Sequence, residues 1–347
     1  MKKISKILSI FFAFAFVFIL SSSTFATDYI YSKNKKSETS LENIELYPGG
    51  MPFGVQMMSK GLCIVKFASE DAPAIKAGLK IGDLIVKVNG KEITSIEDFS
   101  KIINSLGKKE IDITVIRNDK EYSFKVIPEY NRDEGSYKTG IWVKDSTAGI
   151  GTITFINPEN NAFGGLGHGI CSSTNGEIVP LSRGTVLDVC INGVKKGRIG
   201  CAGELKGSFN AKKIGTLTAN SSLGVFGYLT DESYTSPEGK LKICPKEEVK
   251  EGEAYIWCTL DNTKPQKYSI SIFDINTTST GAKSFRVKIT DKRLLEKSGG
   301  IVQGMSGSPI IQNGRLVGAV THVLINDPTQ GYGVFIENML SASPEIY

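Results

Sequence analysis

From about Arg132 to the C-terminus the chain is a series of short apolar runs separated by Gly, Asn and Asp. Thr152 to Ile156, Gly184 to Asn192, Ile214 to Ala219, Tyr268 to Phe273, Phe285 to Thr290 and Leu316 to His322 are examples. Runs this short, rich in β-branched residues and bounded by turn formers, cannot build a helical bundle and instead predict a β-barrel or sandwich. Only Lys292 to Lys297 reads as helical, and no internal repeat is evident. With 347 residues and 40% apolar composition, the chain is long enough for two domains and apolar enough to bury their cores.

The N-terminal part has a different texture. Lys2, Lys3 and Lys6 precede the apolar run Ile7 to Leu20, and Thr24-Phe25-Ala26 follows as a small–x–small cleavage pattern. Residues 1–26 are therefore expected to be a signal peptide or a membrane anchor, since the run falls short of the ~20 residues of a spanning helix. In either case the body of the protein is expected outside the cytoplasm. Thr27 to Glu45 is polar and reads as a linker. The formal charge of +5 comes from 41 basic and 36 acidic residues, and without the three leader lysines 38 against 36 leaves +2. A nucleic-acid partner is poorly supported by that balance. Six cysteines are scattered with no CxxC, and there are two histidines, so neither a disulfide framework nor a metal site is expected. The cysteines are expected to be mostly buried small apolar residues, and no cofactor is implied.

Residues 46–130 contain Phe53-Gly54-Val55-Gln56-Met57, then Gly61 to Val65, then "AGLKIGDLIVKVNG" from Ala77 to Gly90. The Asn-Gly pair after alternating apolar residues marks a tight hairpin. Thr94 or Ser95 can cap a following helix, with Glu97 or Asp98 three positions on and Ile96, Phe99, Ile102, Ile103 and Leu106 as one apolar stripe. This series resembles a PDZ domain. The resemblance implies a Gly-apolar loop at Pro48 to Phe53 and a peptide-pairing strand at Gly54 to Met57. Phe53, Gly54 and Val55 then line a groove opposite Ile96 and Phe99 that takes a peptide, or part of the same chain, as an added strand.

In residues 131–347, His168 lies in "GGLGHGI", where flanking glycines let the backbone turn sharply and leave the ring accessible. The string "GMSGSP", Gly304 to Pro309, precedes an apolar strand, an Asn-Gly turn and a second apolar strand ending at Thr321-His322. A serine between glycines in this setting resembles the nucleophile turn of chymotrypsin-like proteases. Ser306 is then the nucleophile, His168 its base, and the N–H groups of Gly304 and Ser306 form the oxyanion hole. Two aspartates compete as the acid: Asp291, fifteen residues before Ser306, and Asp188, twenty residues after His168. Thr321 and His322 fall in the register that lines the substrate, so His322 is expected to contact substrate, to act as the base in place of His168, or to be structural.

The block "ITDKRLLEKSGGIVQGMSGSPIIQNG", with "GGLGHGI" before it and "GAVTHV" and "NDPTQGYGVFIENML" after it, resembles the stage IV sporulation protein B (SpoIVB) peptidases. These are serine endopeptidases of spore-forming Firmicutes. The resemblance implies a mainly β chain, with a small α+β PDZ domain ahead of a chymotrypsin-like β-barrel peptidase domain. By motif it places the nucleophile at Ser306, the base at His168 and the acid at Asp291. It also implies secretion from the forespore into the space between the two membranes, cleavage of membrane-associated sporulation proteins, and self-cleavage near the N-terminus. A non-catalytic scaffold and a general envelope quality-control protease are the alternatives. The second is disfavoured because in that class the protease domain precedes the PDZ domain.

Overall fold

The structure, a computed structural model, describes residues 43–230, 236, 239–261 and 264–343. The lysine-led apolar segment and most of the polar stretch, residues 1–42, lie outside the described residues. In chain order the strands are β1 (Glu45–Pro48), β2 (Pro52–Phe67), β3 (Leu84–Val88), β4 (Lys91–Glu92), β5 (Ile111–Arg117), β6 (Lys120–Val126), β7 (Glu129–Asn131), β8 (Ser136–Lys138), β9 (Ile141–Ile156), β10 (Ala162–Gly165), β11 (Leu181–Lys195), β12 (Gly203–Ser221) and β13 (Gly224–Leu229). After these come β14 (Leu241–Lys242), β15 (Gly252–Cys258), β16 (Gln266–Phe273), β17 (Phe285–Ile289), β18 (Val302–Gln303), β19 (Pro309–Gln312), β20 (Arg315–Leu324) and β21 (Asp327–Phe335). Among the described residues four short α-helices interrupt them: α1 (Pro73–Lys76), α2 (Ile96–Leu106), α3 (Lys292–Ser298) and α4 (Ile336–Ser341).

The chain is mainly β, as its punctuation predicts, and the pairings close two rings. In the first, β2 pairs β9, β9 pairs β10, β10 pairs β13, β13 pairs β12, β12 pairs β11, and β11 returns to β2. The second closes β15-β16-β17-β21-β20-β19. Closure removes the sheet edges that would otherwise be open to aggregation. Phe53, Val55, Met57, Ile153, Phe163 and Val225 fill the first barrel. Ile256, Ile270, Phe285, Val287, Ile310 and Val320 fill the second. Two closed barrels carrying the serine turn in the second are the arrangement expected of a chymotrypsin-like peptidase domain.

Between β2 and β9 the chain builds the small α+β domain. Asn89 and Gly90 both take positive φ, 49° and 76°, in the tight turn between β3 and β4. Ser95 caps α2 by accepting from the Asp98 N–H at 3.2 Å, and Phe99 and Ile103 are its buried residues. Asp83 of "IGD", 1% exposed, is held by two Arg117 bonds of 2.6 and 2.7 Å.

One expectation for this domain fails. Phe53, Gly54 and Val55 are not in a peptide groove. Their stretch of β2 is paired on both sides, with Gly54 opposite Leu187 of β11 and Ile150 of β9, so no peptide can add there. Phe53 and Val55 point into the first barrel. The physical reason is length. β2 runs for 16 residues, its first half a barrel stave and its second half, Leu62–Phe67, the first strand of the PDZ sheet. The domain therefore begins inside β2 and not at residue 46, and it is inserted into the first barrel. Beside Cys63–Phe67 of this second half lie Ile141 to Lys144 of β9. Ile96 and Phe99 do stand on α2 against the PDZ core.

The cysteine expectation is also corrected. Cys244 and Cys258 are buried, but Cys171 and Cys201 are exposed and Cys63 and Cys190 lie between.

Candidate active site

The Ser306 turn is built by backbone bonds that glycine permits. Gly304 and Gly307 take φ of 97° and 95°, a region costly for other residues. A β-carbon on Gly307 would sit 2.0 Å from the Thr152 carbonyl oxygen. Met305 N–H donates to Val302, Gly307 N–H to Val320 and Ser308 N–H to Met305. The N–H groups of Gly304 and Ser306, those expected to stabilise an oxyanion, take no part in these turn bonds.

The first barrel clamps this turn from outside. The Thr152 N–H donates to the Ser306 carbonyl at 2.9 Å. The Thr152 hydroxyl donates to the Gly304 carbonyl at 2.7 Å, and the Thr154 hydroxyl to the Gly307 carbonyl at 2.8 Å. Both threonines are buried. Nothing in the sequence singles them out, because their partners lie some 150 residues away. The Ser306 hydroxyl donates to the Thr321 carbonyl at 2.7 Å.

His168 follows β10 through Leu166 and Gly167, which take φ of 65° and 67°. Asn220 fixes the chain two residues on, accepting from the Ile170 N–H at 2.8 Å and donating to the Ile170 and Val179 carbonyls at 2.9 Å. His168 Nδ1 lies 2.9 Å from the Gly169 carbonyl oxygen. A carbonyl can only accept, so this bond sets the tautomer with the proton on Nδ1 and leaves Nε2 as the basic atom. Burial lowers the His168 pKa from its usual value, and the Gly169 bond opposes that.

The two histidines of the chain meet here. The rings of His168 and His322 stand 5.0 Å apart between centroids. Both line a cavity of about 670 Å³ together with Thr147 to Ile150 of β9 and Gln303. Burial, with His168 and Lys283 adding to it, lowers the His322 pKa to about 4, so its imidazole is neutral at pH 7. His322 Nδ1 is buried and has no hydrogen-bond partner among the described residues. Thr321 does not reach substrate with its side chain, which is buried and donates to the Ala282 carbonyl at 2.8 Å. Its carbonyl is what touches Ser306.

Neither candidate acid meets His168. Asp291 is the N-cap of α3: its carboxylate accepts from the Arg293 N–H at 2.9 Å, the Leu294 N–H at 3.4 Å and the Ser269 N–H at 3.4 Å. It also pairs with the Arg293 guanidinium at 2.9 Å, which holds its pKa below the usual carboxylate range. Asp188 accepts from Asn210 at 2.6 Å on the surface. The position opposite His168 Nδ1 is filled by the Gly169 carbonyl.

The fold and this cleft define a two-barrel peptidase domain with a PDZ domain inserted in its first barrel. The chain belongs to the SpoIVB peptidase S55 family, whose model matches residues 135–340, and a PDZ domain model matches residues 64–117. Among curated relatives it is similar to a probable periplasmic serine endoprotease DegP-like of Bartonella henselae, 32% identical over 110 residues, 26% of this chain and 22% of that protein. It is also similar to the regulator of sigma-W protease RasP of Bacillus subtilis, 33% identical over 72 residues, 21% of this chain and 17% of that protein. The matches thus span a quarter or less of these relatives. Among solved structures, the PDZ domain of the SdrC-like protein of Listeria monocytogenes is 24% identical with a TM-score of 0.23, covering 25% of this chain and 90% of that one. The Rv3671c protease of M. tuberculosis, active form, is 14% identical with a TM-score of 0.34, covering 56% of this chain and 72% of that one.

Proposed function

We propose that the chain is a serine endopeptidase in which Ser306 attacks a peptide carbonyl and His168 Nε2 takes its proton. The observation that carries this is the convergence of "GGLGHGI" and "GMSGSP" from separate barrels, with His168 beside His322 and Ser306 bonded to Thr321. On attack the Ser306 hydroxyl turns from the Thr321 carbonyl toward His168. The N–H groups of Gly304 and Ser306 receive the oxyanion, His168 hands its proton to the leaving amine, and water releases the acyl group by the reverse path. The lowered pKa of His168 keeps it in the basic form at neutral pH. In this reading the Gly169 carbonyl orients the imidazole, and Asp291 acts through α3.

The leader-like N-terminus and the family membership support a finer reading. The protein is exported across the cytoplasmic membrane of a developing spore and acts between its two membranes. There it cleaves membrane-associated sporulation proteins, and also itself within Thr27 to Glu45, as a signal between compartments.

The test is intact mass of the full chain after a fluorophosphonate probe, wild type beside Ser306→Ala. One probe adduct on the wild type and none on the variant is the expected result. An unlabelled wild type that leaves peptides uncut would favour a peptide-binding scaffold, in which the Ser306–Thr321 bond is permanent.

A further inference from the structure

His168 and His322 are the only two histidines of the chain and stand more than 150 positions apart in sequence. No zinc spacing can be read from them along the chain, yet the fold brings both to one cavity. His168 follows β10 of the first barrel, and His322 stands on β20 of the second. Their ring centres are 5.0 Å apart and the ring planes are tilted by 40°. One imidazole is the base of the proposed reaction; the other has no part in it.

Three observations point to what the pair can hold. First, His168 Nδ1 is taken by the Gly169 carbonyl at 2.9 Å, so its free lone pair is on Nε2. Metal-ligating histidines are held this way, with the second nitrogen fixed on a backbone carbonyl so that the first is aimed. Second, His322 Nδ1 is buried without a hydrogen-bond partner among the described residues, a cost that an ion beside it would remove. Third, the spacing is that of a shared ion. Two imidazoles on one tetrahedral Zn²⁺, with Zn–N bonds of about 2.1 Å, place their ring centres roughly 5 Å apart.

The donors also decide which ions qualify. Besides the two rings, the cavity offers Cys171, Ser222 and Gln303 but no carboxylate. The Cys171 thiol lies on the Gly169 carbonyl at 3.6 Å, the same oxygen that holds His168 Nδ1, and so is drawn to the side of the ring away from Nε2. No cluster of three His, Cys, Asp or Glu suited to a metal forms among the described residues. Two nitrogens are then the protein's whole contribution, and water fills the remaining positions. Imidazole nitrogen suits Zn²⁺, Cu²⁺ and Ni²⁺, whereas Ca²⁺ and Mg²⁺ require oxygen ligands.

We propose that His168 Nε2 and His322 Nδ1 together bind a zinc-class divalent ion that switches the peptidase off. The inhibition rests on the reading of His168 as the base; the metal site does not. The lone pair that would take the Ser306 proton is given to the ion, so the Ser306 hydroxyl stays on the Thr321 carbonyl. Both rings bind in the neutral form, His168 with its proton on Nδ1 and His322 with its proton on Nε2, and no proton or electron changes hands. The ion is a reversible inhibitor and not a cofactor: its removal frees Nε2 for catalysis.

The experiment titrates the full chain with zinc chloride under a phosphine reductant, following binding by calorimetry and Ser306 by fluorophosphonate labelling. Wild type and Cys171→Ser should bind the ion alike, and His322→Gln should bind it at least about tenfold more weakly. Saturating zinc should slow wild-type labelling tenfold or more, a chelator should restore it, and Ca²⁺ or Mg²⁺ should leave it unchanged. His322→Gln, measured against its own metal-free rate, should lose this sensitivity. Co²⁺ in place of zinc, a measurement that needs no variant, should give the weak visible bands of nitrogen and water ligation without a thiolate charge-transfer band. Equal zinc affinity in wild type and His322→Gln, loss of binding in Cys171→Ser, or a thiolate band would overturn the site. Binding at the pair with labelling unaffected would overturn the inhibition. A wild type that binds zinc at the pair but is never labelled, even with chelator, would sink the nucleophile reading and leave the metal site standing.

Discussion

The two loops that meet in the cleft are held in opposite ways. The Ser306 turn is fastened across the barrels: Thr152 and Thr154 of β9 bond the carbonyls of Gly304, Ser306 and Gly307. The His168 loop is fastened within its own barrel, by Asn220 and by the histidine's bond to Gly169. The Ser306 turn is thus a property of the docked pair of barrels, while the His168 loop is set by the first barrel alone. Loosening the barrel contact should disturb Ser306 more than His168.

The largest effects should come from the serine turn itself. Ser306→Ala should abolish peptide cleavage, a loss of about 10⁴-fold or more, with the melting temperature unchanged. Gly307→Ala should fail differently, because a β-carbon 2.0 Å from the Thr152 carbonyl and a φ of 95° force the barrels apart. Thermal unfolding should show a protein several kcal/mol less stable, in the range of about 3–5 kcal/mol for a severe backbone lesion. Native stability in that variant would show that the clamp is not rigid.

Thr152→Val tests the clamp more gently. It removes one buried donor and leaves the Gly304 carbonyl short of a partner, at about 1–3 kcal/mol. Probe labelling of Ser306 should slow along with the loss of stability. The matched change on the other loop, Asn220→Ala, should cost a similar amount of stability while disturbing the histidine side. An equal response of the two loops to either substitution would break the contrast.

The histidine pair sets a pH expectation. His322 has a folded pKa of about 4 against an unfolded value near 6.5. Between those values the unfolded chain binds more protons than the folded one, so stability is full above about pH 6.5 and declines as pH falls toward 4. Melting curves across that window should show a steeper acid loss for the wild type than for His322→Gln. Equal slopes would mean that His322 is more solvated than its position in the cleft indicates. The smallest change should be Asp291→Asn. Asparagine caps a helix about as well as aspartate, so the variant should stay within about 1 kcal/mol of wild type and keep activity within a few-fold. A fall of about 10⁴-fold in kcat would instead return Asp291 to the triad.

Much of this was legible along the chain. The Asn89-Gly90 and Asn313-Gly314 turns, the Ser95 cap and the α2 stripe are local features, dictated by residues a few positions apart. "GMSGSP" and "GGLGHGI" likewise carry their own backbone requirements, since each needs glycine for its positive φ values. The position of Asp291 was not legible, because "TDK" reads equally as a catalytic aspartate and as a helix N-cap; in the fold it caps α3, bonded to Arg293, Leu294 and Ser269.

What the sequence by itself determined is the class of the fold and the two motifs, since turn chemistry and alternation act over a few residues. Where the PDZ domain begins was decided only by tertiary pairing. A 16-residue strand such as β2 reads the same whether it serves one domain or two, and only its partners β11, β9 and β3 divide it. The same holds for the clamp at Ser306, the Asn220 bonds and the meeting of His168 with His322. Each joins residues from 15 to more than 150 positions apart, and over such separations only the closed barrels bring their atoms within bonding distance.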